Sequence, residues 1–283
     1  MRAKEETRVY ESNAQIKLGW LFVWKEMIRE LVNSRELIWR LFLRDFLAKY
    51  KQSLLGVIWA IIMPLLMMGS FLLLNKAGVI NIAKTEVPYP VFALLGLCIW
   101  QLFATGLTAC TNSILGGGSM VVKINFPKEA LVIASLAQSV FDFLVRIGLL
   151  AAAFVIYKTA PSWASLFLPF TLLPLILLTL ALGLLFSLFN ALMRDTANIV
   201  TLLTTFLLFL TPVLYPAPVN GFFANVFVLN PLSVLVCGNR DLVLFGYIKE
   251  PLQFWLVSFA SLIIFLLSWR AFHLVESRMA ERV

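Results

Sequence analysis

Long stretches without ionisable side chains constrain this chain more than any other feature. No Asp, Glu, Lys or Arg occurs in Val87–Val122, Ser162–Met193 or Thr196–Asn239. A helix needs about 20 mainly apolar residues to cross the hydrocarbon core of a bilayer. Apolar residues make up 61% of the 283 residues and charged residues only 13%, against about 25% charged in soluble domains. The sequence therefore predicts an all-α polytopic membrane protein.

Six apolar stretches are long enough to cross a bilayer, and they divide the chain into three regions. Residues 1–53 are predicted to form a cytoplasmic segment with two amphipathic helices that lie in the membrane interface. Residues 54–269 are predicted to form the transmembrane domain, and residues 270–283 a short cytoplasmic tail. The predicted spans are about 54–74, 91–115, 131–157, 167–193, 198–215 and 252–269.

The stretch 216–239 is apolar, but prolines and glycines interrupt it. We interpret residues 219–236 as a re-entrant hairpin at the outer face, because each uninterrupted piece reaches only about 15 Å. Asn230 is placed to cap a helix that begins at Pro231. We expect an outer gate here, and a static plug that only packs the dimer is equally consistent with the sequence. The predicted gate residues are Phe222, Phe223, Asn230 and Pro231.

The positive charge lies beside the spans and does not form one continuous basic tract. The net charge is +8, and 11 of the 23 lysines and arginines precede Ser53. With six spans, seventeen of these residues fall on one side of the membrane and five on the other. Basic residues favour the cytoplasmic side and bind anionic lipid, so both termini are predicted to be cytoplasmic. This distribution indicates contact with membrane lipids and no nucleic-acid partner.

Composition and motifs exclude most kinds of active site. One histidine and three cysteines are too few for a zinc or cluster site, which needs about four such ligands. The glycine run Gly116–Gly118 lacks the Lys-Ser/Thr pair of an ATP-binding loop and follows a helix. No group of carboxylates inside the spans would bind sodium or relay protons. We therefore predict no catalytic residue, no metal and no cofactor in this chain, and no enzymatic activity of its own.

One ionisable pair lies inside a predicted span. Asp142 and Arg146 are four residues apart and so share one face of the third helix. Either charge alone would cost about 2.5–3.5 kcal/mol at the bilayer centre. We predict that the two side chains form an intramembrane ion pair that faces neighbouring helices. A polar patch on a substrate path or subunit interface is the alternative.

The fifth predicted span combines aromatic and hydroxyl side chains. Phe206, Phe209 and Tyr215 are predicted to lie near one another, beside several threonines. Aromatic faces with hydroxyl groups suit a sugar chain, which makes these three residues candidates for a substrate path. Ordinary helix packing through threonine explains the same pattern.

The connection after the second predicted span is short, basic and exposed on the cytoplasmic side in the six-span topology. We interpret it as a candidate docking site for a partner protein, to which the basic face of the second amphipathic helix would contribute. Orientation of the first span and binding of anionic lipid explain that basic face as well. The candidate docking residues are Arg40, Arg44, Lys123, Phe126, Pro127, Lys128 and Glu129.

Four blocks in the chain, in a fixed order, resemble those of one known family. The blocks are RDFLAKYKQSLLGVIWAIIMPLLMM (Arg44–Met68), YPVFALLGLCIWQLF (Tyr89–Phe103), INFPKEALVIAS (Ile124–Ser135) and LNPLSVLVCGNRDLVLFG (Leu229–Gly246). They are similar to the permeases of type-two ATP-binding-cassette (ABC) exporters of polysaccharide, including the exporters of O-antigen, capsule and teichoic acid. The resemblance covers nearly the whole chain.

This resemblance implies a homodimeric permease in the bacterial cytoplasmic membrane, joined to two copies of a separate ATPase subunit that binds ATP and Mg²⁺. The substrate would be a lipid-linked polysaccharide. The family's contacts with the ATPase would map to Arg35–Lys51 and Ile124–Glu129 here, and its outer gate to Val219–Val236. Two alternatives are a permease for a lipid or drug and a membrane-embedded enzyme that modifies a glycan or lipid.

Overall fold

The computed structural model describes residues 20–51, 56–78, 85–118, 120–121, 126–217, 227 and 229–279, and all regular structure in these ranges is helical. This confirms the predicted all-α class. Short 3₁₀ helices at Gly56–Ile58 and Trp163–Phe167 precede the third and sixth α-helices. The α-helices are α1 (Trp20–Asn33), α2 (Arg35–Lys51), α3 (Trp59–Lys76), α4 (Tyr89–Gly117), α5 (Glu129–Ile156), α6 (Leu168–Thr171), α7 (Leu173–Leu192), α8 (Thr196–Leu210), α9 (Pro231–Phe245) and α10 (Pro251–Met279).

Within the described residues, five helical segments are long and apolar enough to cross a membrane. They are Gly56–Lys76, Tyr89–Gly117, Glu129–Ile156, Trp163–Leu192 and Pro251–Glu276. A polytopic architecture is thereby supported, but the predicted count of six spans is not confirmed. The fifth predicted span corresponds to α8, whose 15 residues extend only about 22 Å. Pro212 explains the early end, because proline disfavours a helical conformation in the residue before it, and Thr211 is extended.

Helix α4 forms the centre of the bundle. Its side chains are buried along most of its length, and it packs against α5, α7, α8 and α9. The approach of α7 is especially close at Gly183, where an added Cβ would lie 2.4 Å from the Cβ of Cys110. Small residues at such crossings let two helix backbones approach in a membrane bundle. Glycine at this position therefore sets the spacing between α4 and α7.

Helix α2 runs along the first part of α5. Leu41 packs with Ala130, Leu131 and Ala134 near the start of α5, while the ring of Phe46 lies 4.8 Å from that of Phe141. The exposed surface of α2 carries the apolar side chains of Trp39, Leu43 and Leu47 as well as charged side chains. The amphipathic pattern thus correctly predicted a helix, and one of its sides is packed against the bundle.

Helix α9 corrects the predicted hairpin boundary. Asn230 caps it as predicted, accepting a hydrogen bond from the Leu232 amide at 3.0 Å. The helix then continues to Phe245, well beyond the predicted end at residue 236. Gly238 does not interrupt this helix. It lies against α10, where an added Cβ would be 2.5 Å from Phe254 Cδ2. The glycine permits a close contact between α9 and α10. Residues 219–226 and 228 of the predicted hairpin lie outside the described residues.

Candidate functional site

The predicted docking elements come together at one end of the bundle. Phe126 packs with the cluster around Leu41 of α2, and Arg44 Nη1 lies 3.7 Å from Met120 Sδ. Phe126 and Pro127 are partly exposed. The candidate docking surface, defined here as Arg40, Arg44, Phe126 and Pro127, therefore joins one helix and one connection. Lys123 lies outside the described residues.

The two arginines of this surface are exposed and form local ion pairs. Arg40 Nη2 lies 2.7 Å from Glu36 Oε1, one turn away on α2. Arg44 Nη2 lies 2.8 Å from Asp45 Oδ1. Exposed pairs of this kind contribute only about 0.2–1 kcal/mol. Both guanidinium groups are consequently able to exchange these partners for a group on another protein.

Lys128 and Glu129, predicted to contact a partner, are buried inside the chain. The Lys128 amide donates to Glu276 Oε1 at 2.7 Å, and Glu129 Oε1 lies 3.0 Å from His273 Nδ1. All four residues are less than a tenth exposed. The prediction for Lys128 and Glu129 is corrected accordingly, because α10 covers them. We name these four residues the α5–α10 cluster.

Sequence reasoning missed His273 and Glu276 as functional candidates. They are three residues apart on α10, and that spacing is visible in the sequence. Their partners are more than 140 residues away, and neither the charge pattern nor the helical period reveals such a pairing. Among the described residues, Glu129, His273 and Glu276 also come nearest to a metal-ligand set, with ligand atoms within 4.8 Å of one another. The Lys128 ammonium, 3.7 Å from Glu276 Oε1, already supplies positive charge there.

The predicted ion pair between Asp142 and Arg146 has different partners in the structure. Asp142 Oδ2 lies 2.6 Å from Lys49 Nζ, and Oδ1 accepts a hydrogen bond from the Tyr50 hydroxyl. Arg146 Nε donates to the carbonyl of Ala60 at 3.2 Å. The helical spacing does place both charges on one face of α5, but the end of α2 and the start of α3 cover that face. These two segments supply the groups that the charges bind.

The surroundings of Asp142 also change the chemistry of Tyr50. The pKa of the Tyr50 hydroxyl is raised well above its ordinary value, first by burial and then by its hydrogen bond to the Asp142 carboxylate. The phenol therefore stays neutral and keeps donating its proton at any physiological pH. Arg146 Nη1 is buried and finds no acceptor among the described residues.

The candidate path residues lie on and just after α8. Phe206 and Phe209 are exposed on one side of the helix, whereas the Tyr215 hydroxyl donates to the carbonyl of Phe209. The hydroxyls of Thr201 and Thr205 donate to α8 carbonyls four residues earlier. Because these hydroxyls are bonded to backbone carbonyls of the same helix, the exposed side of α8 that carries Phe206 and Phe209 is mainly apolar.

Two of the predicted gate residues are described, and one of them, Asn230, binds the segment after α8. Asn230 Nδ2 donates to Thr211 Oγ1 at 3.0 Å, and Pro231 is the first residue of α9. Arg240 reinforces this contact, donating to the carbonyl of Pro212 at 2.7 Å with its guanidinium 3.9 Å from the Phe92 ring centroid. Phe222 and Phe223 lie outside the described residues. The start of α9 is thus firmly joined to the end of α8.

Comparison with known proteins places this architecture in a family. The family model described as ABC-2 type transporter matches residues 36–244. The chain is 28% identical over 259 residues to the O-antigen export system permease protein RfbA of Myxococcus xanthus, covering 90% of this chain and 97% of that protein. An O-antigen export system permease protein RfbA of Klebsiella pneumoniae is 24% identical, with 84% and 91% covered.

A protein named for polysialic acid transport is also similar. The polysialic acid transport protein KpsM of Escherichia coli is 23% identical over 218 residues, covering 74% of this chain and 82% of that protein. The family match spans more than half of the chain, from α2 to α9, and includes α4 at the centre of the bundle. The chain belongs to the ABC-2 type transporter family.

Proposed function

We propose that this chain is the membrane-spanning permease subunit of an ABC exporter that moves a lipid-linked polysaccharide across the bacterial cytoplasmic membrane. The observation that carries this proposal is similarity along nearly the full chain to permeases named for O-antigen export, and to a protein named for polysialic acid transport. The polymer would be of the O-antigen, capsule or teichoic-acid type. Membership of the ABC-2 family implies a separate ATPase subunit, which supplies the energy.

The active unit would be a homodimer that carries two ATPase subunits. Each protomer would cross the membrane six times, with α8 and the segment after it as the short fifth crossing. The exposed phenylalanines of α8 would line the path, since flat aromatic faces bind the C–H faces of sugars. The exposed apolar side chains of α2 would lie among the lipid headgroups of the inner leaflet.

The ATPase subunits would bind the candidate docking surface. Phe126 and Pro127 offer a partly exposed apolar contact, and Arg40 and Arg44 offer positive charge beside it. An ATPase surface with an apolar groove and neighbouring carboxylates would complement this arrangement. The double substitution Phe126→Ala and Pro127→Ala should lower co-purification of the ATPase while leaving membrane insertion intact. Undiminished association would remove these two residues from the docking role.

The outer gate would be formed by residues 219–236 of both protomers. Its test is a cysteine pair introduced near Phe223 that links the two copies across the dimer. Export should stop in the linked dimer and resume after reduction. Unchanged export in the fully linked dimer would assign this segment to packing alone.

Reconstitution tests the proposed cargo. The chain and its ATPase subunit would be placed together in proteoliposomes that contain a lipid-linked glycan. We expect ATP-dependent movement of the glycan headgroup across the bilayer, and none with an ATPase variant that cannot hydrolyse ATP. Equal transport of the lipid without its glycan would favour a lipid permease instead.

A further inference from the structure

The α5–α10 cluster links two helices that are far apart in sequence but adjacent at one end of the bundle. Lys128 and Glu129 close the connection that contains Phe126 and Pro127, and α5 begins at Glu129. His273 and Glu276 lie near the end of α10, one helical turn apart. Two separate contacts, at 2.7 Å and 3.0 Å, join the two sides. The start of α5 is therefore held by two points of α10.

Glu276 serves the start of α5 as an acceptor from another helix. The residue before α5, Lys128, makes no capping hydrogen bond with its own side chain. Backbone N–H groups at a helix start have no partner within the helix, and negative charge is favourable there. Glu276 supplies the missing partner, because its Oε1 accepts a hydrogen bond from the Lys128 amide at the start of α5. A cap that comes from α10 makes the geometry of this helix start depend on α10.

Stability alone is a poor explanation for this cluster. Two carboxylates, an imidazole and an ammonium are buried together, and Glu129 Oε2 has no hydrogen-bond partner among the described residues. Burying charges has a large desolvation cost, and apolar side chains of similar volume are often as stable or more stable. Directed, charge-assisted hydrogen bonds do specify one relative position of two helices. The arrangement favours precise registration of α10 against α5 over maximal stability.

The position of the cluster connects the docking surface to the rest of the bundle. The residues that directly precede it, Phe126 and Pro127, belong to that surface. On its other side, α10 packs along α7, and α7 packs against the central helix α4. A displacement of the connection is thus passed to α5 through the backbone, and to α10 only through side chains.

We infer that His273 and Glu276 are positioning residues for coupled transport, which hold α10 to the start of α5 so that movement at the docking surface reaches both helices. This inference rests on the proposed function, in which an ATPase binds beside Phe126 and Pro127. Without the cluster, ATP hydrolysis would move α5 while α10 lagged behind. Transport per ATP would fall although the ATPase remained bound.

The first test compares Glu276→Ala with Glu276→Gln in the reconstituted complex. Alanine removes the acceptor for the Lys128 amide, whereas glutamine retains a carbonyl oxygen for it. We expect at least a fivefold lower ratio of glycan moved to ATP hydrolysed for Glu276→Ala, with unchanged ATPase co-purification. Glu276→Gln should retain more than half of the wild-type ratio. Val275→Ala, at an exposed position on the same helix, is the matched control and should behave as wild type.

A covalent replacement covers the case in which Glu276→Ala fails to fold. Cysteines at Lys128 and Glu276, with the three native cysteines replaced, would be joined by a short bis-thiol reagent that contains a reducible disulfide, because the hydrogen bond spans a whole glutamate side chain. We expect normal coupling in the linked protein and a lower ratio after reduction. Equal ratios in both states would overturn the inference, and failure of the reagent to join the two thiols would contradict the closeness on which it depends.

The outcome also separates this inference from the proposed function. If Phe126→Ala with Pro127→Ala releases the ATPase but Glu276→Ala remains fully coupled, the docking surface stands and the positioning role is wrong. If transport and ATP hydrolysis fall together in Glu276→Ala, in proportion to folded protein, the cluster is only structural. If the complex moves no glycan at all, the proposed cargo is wrong. The positioning role is then tested by the stimulation of ATP hydrolysis, compared between protein with and without the covalent link between positions 128 and 276.

Discussion

The carboxylate of Asp142 is almost fully buried, while the ammonium of Lys49 that pairs with it is about half exposed, at 5% and 48% of their side-chain surfaces. Lysine can keep its charged end in water while its stem lies against the bundle. The cost of desolvation therefore falls mainly on Asp142. Lys49 and the Tyr50 hydroxyl together offset that cost, and both come from α2. Two residues at the end of one helix thus determine whether a charge inside α5 is tolerated.

Removing Lys49 should be worse than removing both members of its pair. We expect Lys49→Met to lower the free energy of unfolding by about 1–3 kcal/mol, because it leaves a buried carboxylate without its cation. Adding Asp142→Asn should recover at least half of the loss. Denaturant unfolding in detergent measures both values, and Lys51→Met, an exposed position in the same turn, is the control. Strictly additive losses would mean that Lys49 does not stabilise Asp142.

Tyr50 should make stability depend on alkaline pH. Its pKa is raised in the folded protein by burial and by Asp142, so folding favours the protonated phenol. This contribution is complete below the ordinary pKa of about 10 and is lost as pH rises from there towards the folded value. Between pH 9 and 11, wild type should lose stability more steeply than Tyr50→Phe. Identical slopes would contradict the burial of this hydroxyl, and Tyr247→Phe provides an exposed control.

At the scale of elements, the closest contacts between helices occur at glycines, because no side chain separates the two helices there. The closest approach of α7 to α4 occurs at Gly183, opposite Cys110, and α9 meets α10 at Gly238. Neither glycine has a positive φ, so each is explained by space and not by backbone conformation. These two contacts set the spacing of α7 from the central helix α4 and of α9 from α10.

Gly183→Ala should destabilise the bundle although alanine favours helix. A methyl group 2.4 Å from the Cys110 Cβ forces the helices apart, and overpacking of this kind costs about 1–3 kcal/mol. Gly148→Ala on α5 is the matched control, because nothing lies within 4 Å of its added Cβ. It should be neutral or stabilising by up to about 1 kcal/mol. Thermal unfolding in detergent compares the two, and equal effects would show that the α4–α7 spacing is not limited by Gly183.

Elements and caps were predictable where their causes are local. The long apolar stretches predicted α4, α5 and the segment from α6 to α7 to within a few residues, and Asn230 was identified as a cap because a cap and its helix are neighbours in sequence. The partners of Asp142 and Glu129 were not predictable from one sequence. Helical spacing shows which side chains share a face, but only the tertiary arrangement shows that α2 covers one of these faces and α10 the other. The short α8 was missed because its apolar composition continues past Pro212, where the backbone leaves the helix.

At the scale of the whole molecule, several helices exceed the thickness of a membrane. Helices α4 and α10 each have 29 residues and α5 has 28, which gives lengths of about 42–44 Å against a core of about 30 Å. The start of α5 and the end of α10 meet in the α5–α10 cluster, so both extend from the same end of the bundle. The candidate docking surface lies at this end. When the other ends of α5 and α10 are level with one membrane interface, the extra length carries this surface outside the hydrocarbon core at the opposite interface.

This geometry predicts one orientation for both termini. Single cysteines introduced at Glu5 and Ala280, in a background without native cysteines, should react with a membrane-permeant maleimide in intact cells. An impermeant maleimide should label them only after the membrane is opened. A cysteine at Lys158, beyond the far end of α5, is the matched outer position and should react with both reagents. Labelling of either terminus by the impermeant reagent in intact cells would refute the six-span topology.

The central place of α4 has a consequence for how the protein is made. This helix leaves the ribosome before α5, α7, α8 and α9, which later surround it, so it must first be stable with lipid in their place. Its sequence meets that demand, since it carries no charge and the hydroxyls of Thr105, Thr108 and Thr111 are bound to carbonyls of the same helix. The next long helix is freed from this restriction: α5 carries Asp142 and Arg146 because α2 and α3, synthesised earlier, are already there to receive them. The charges inside α5 thus depend on helices that are made before it.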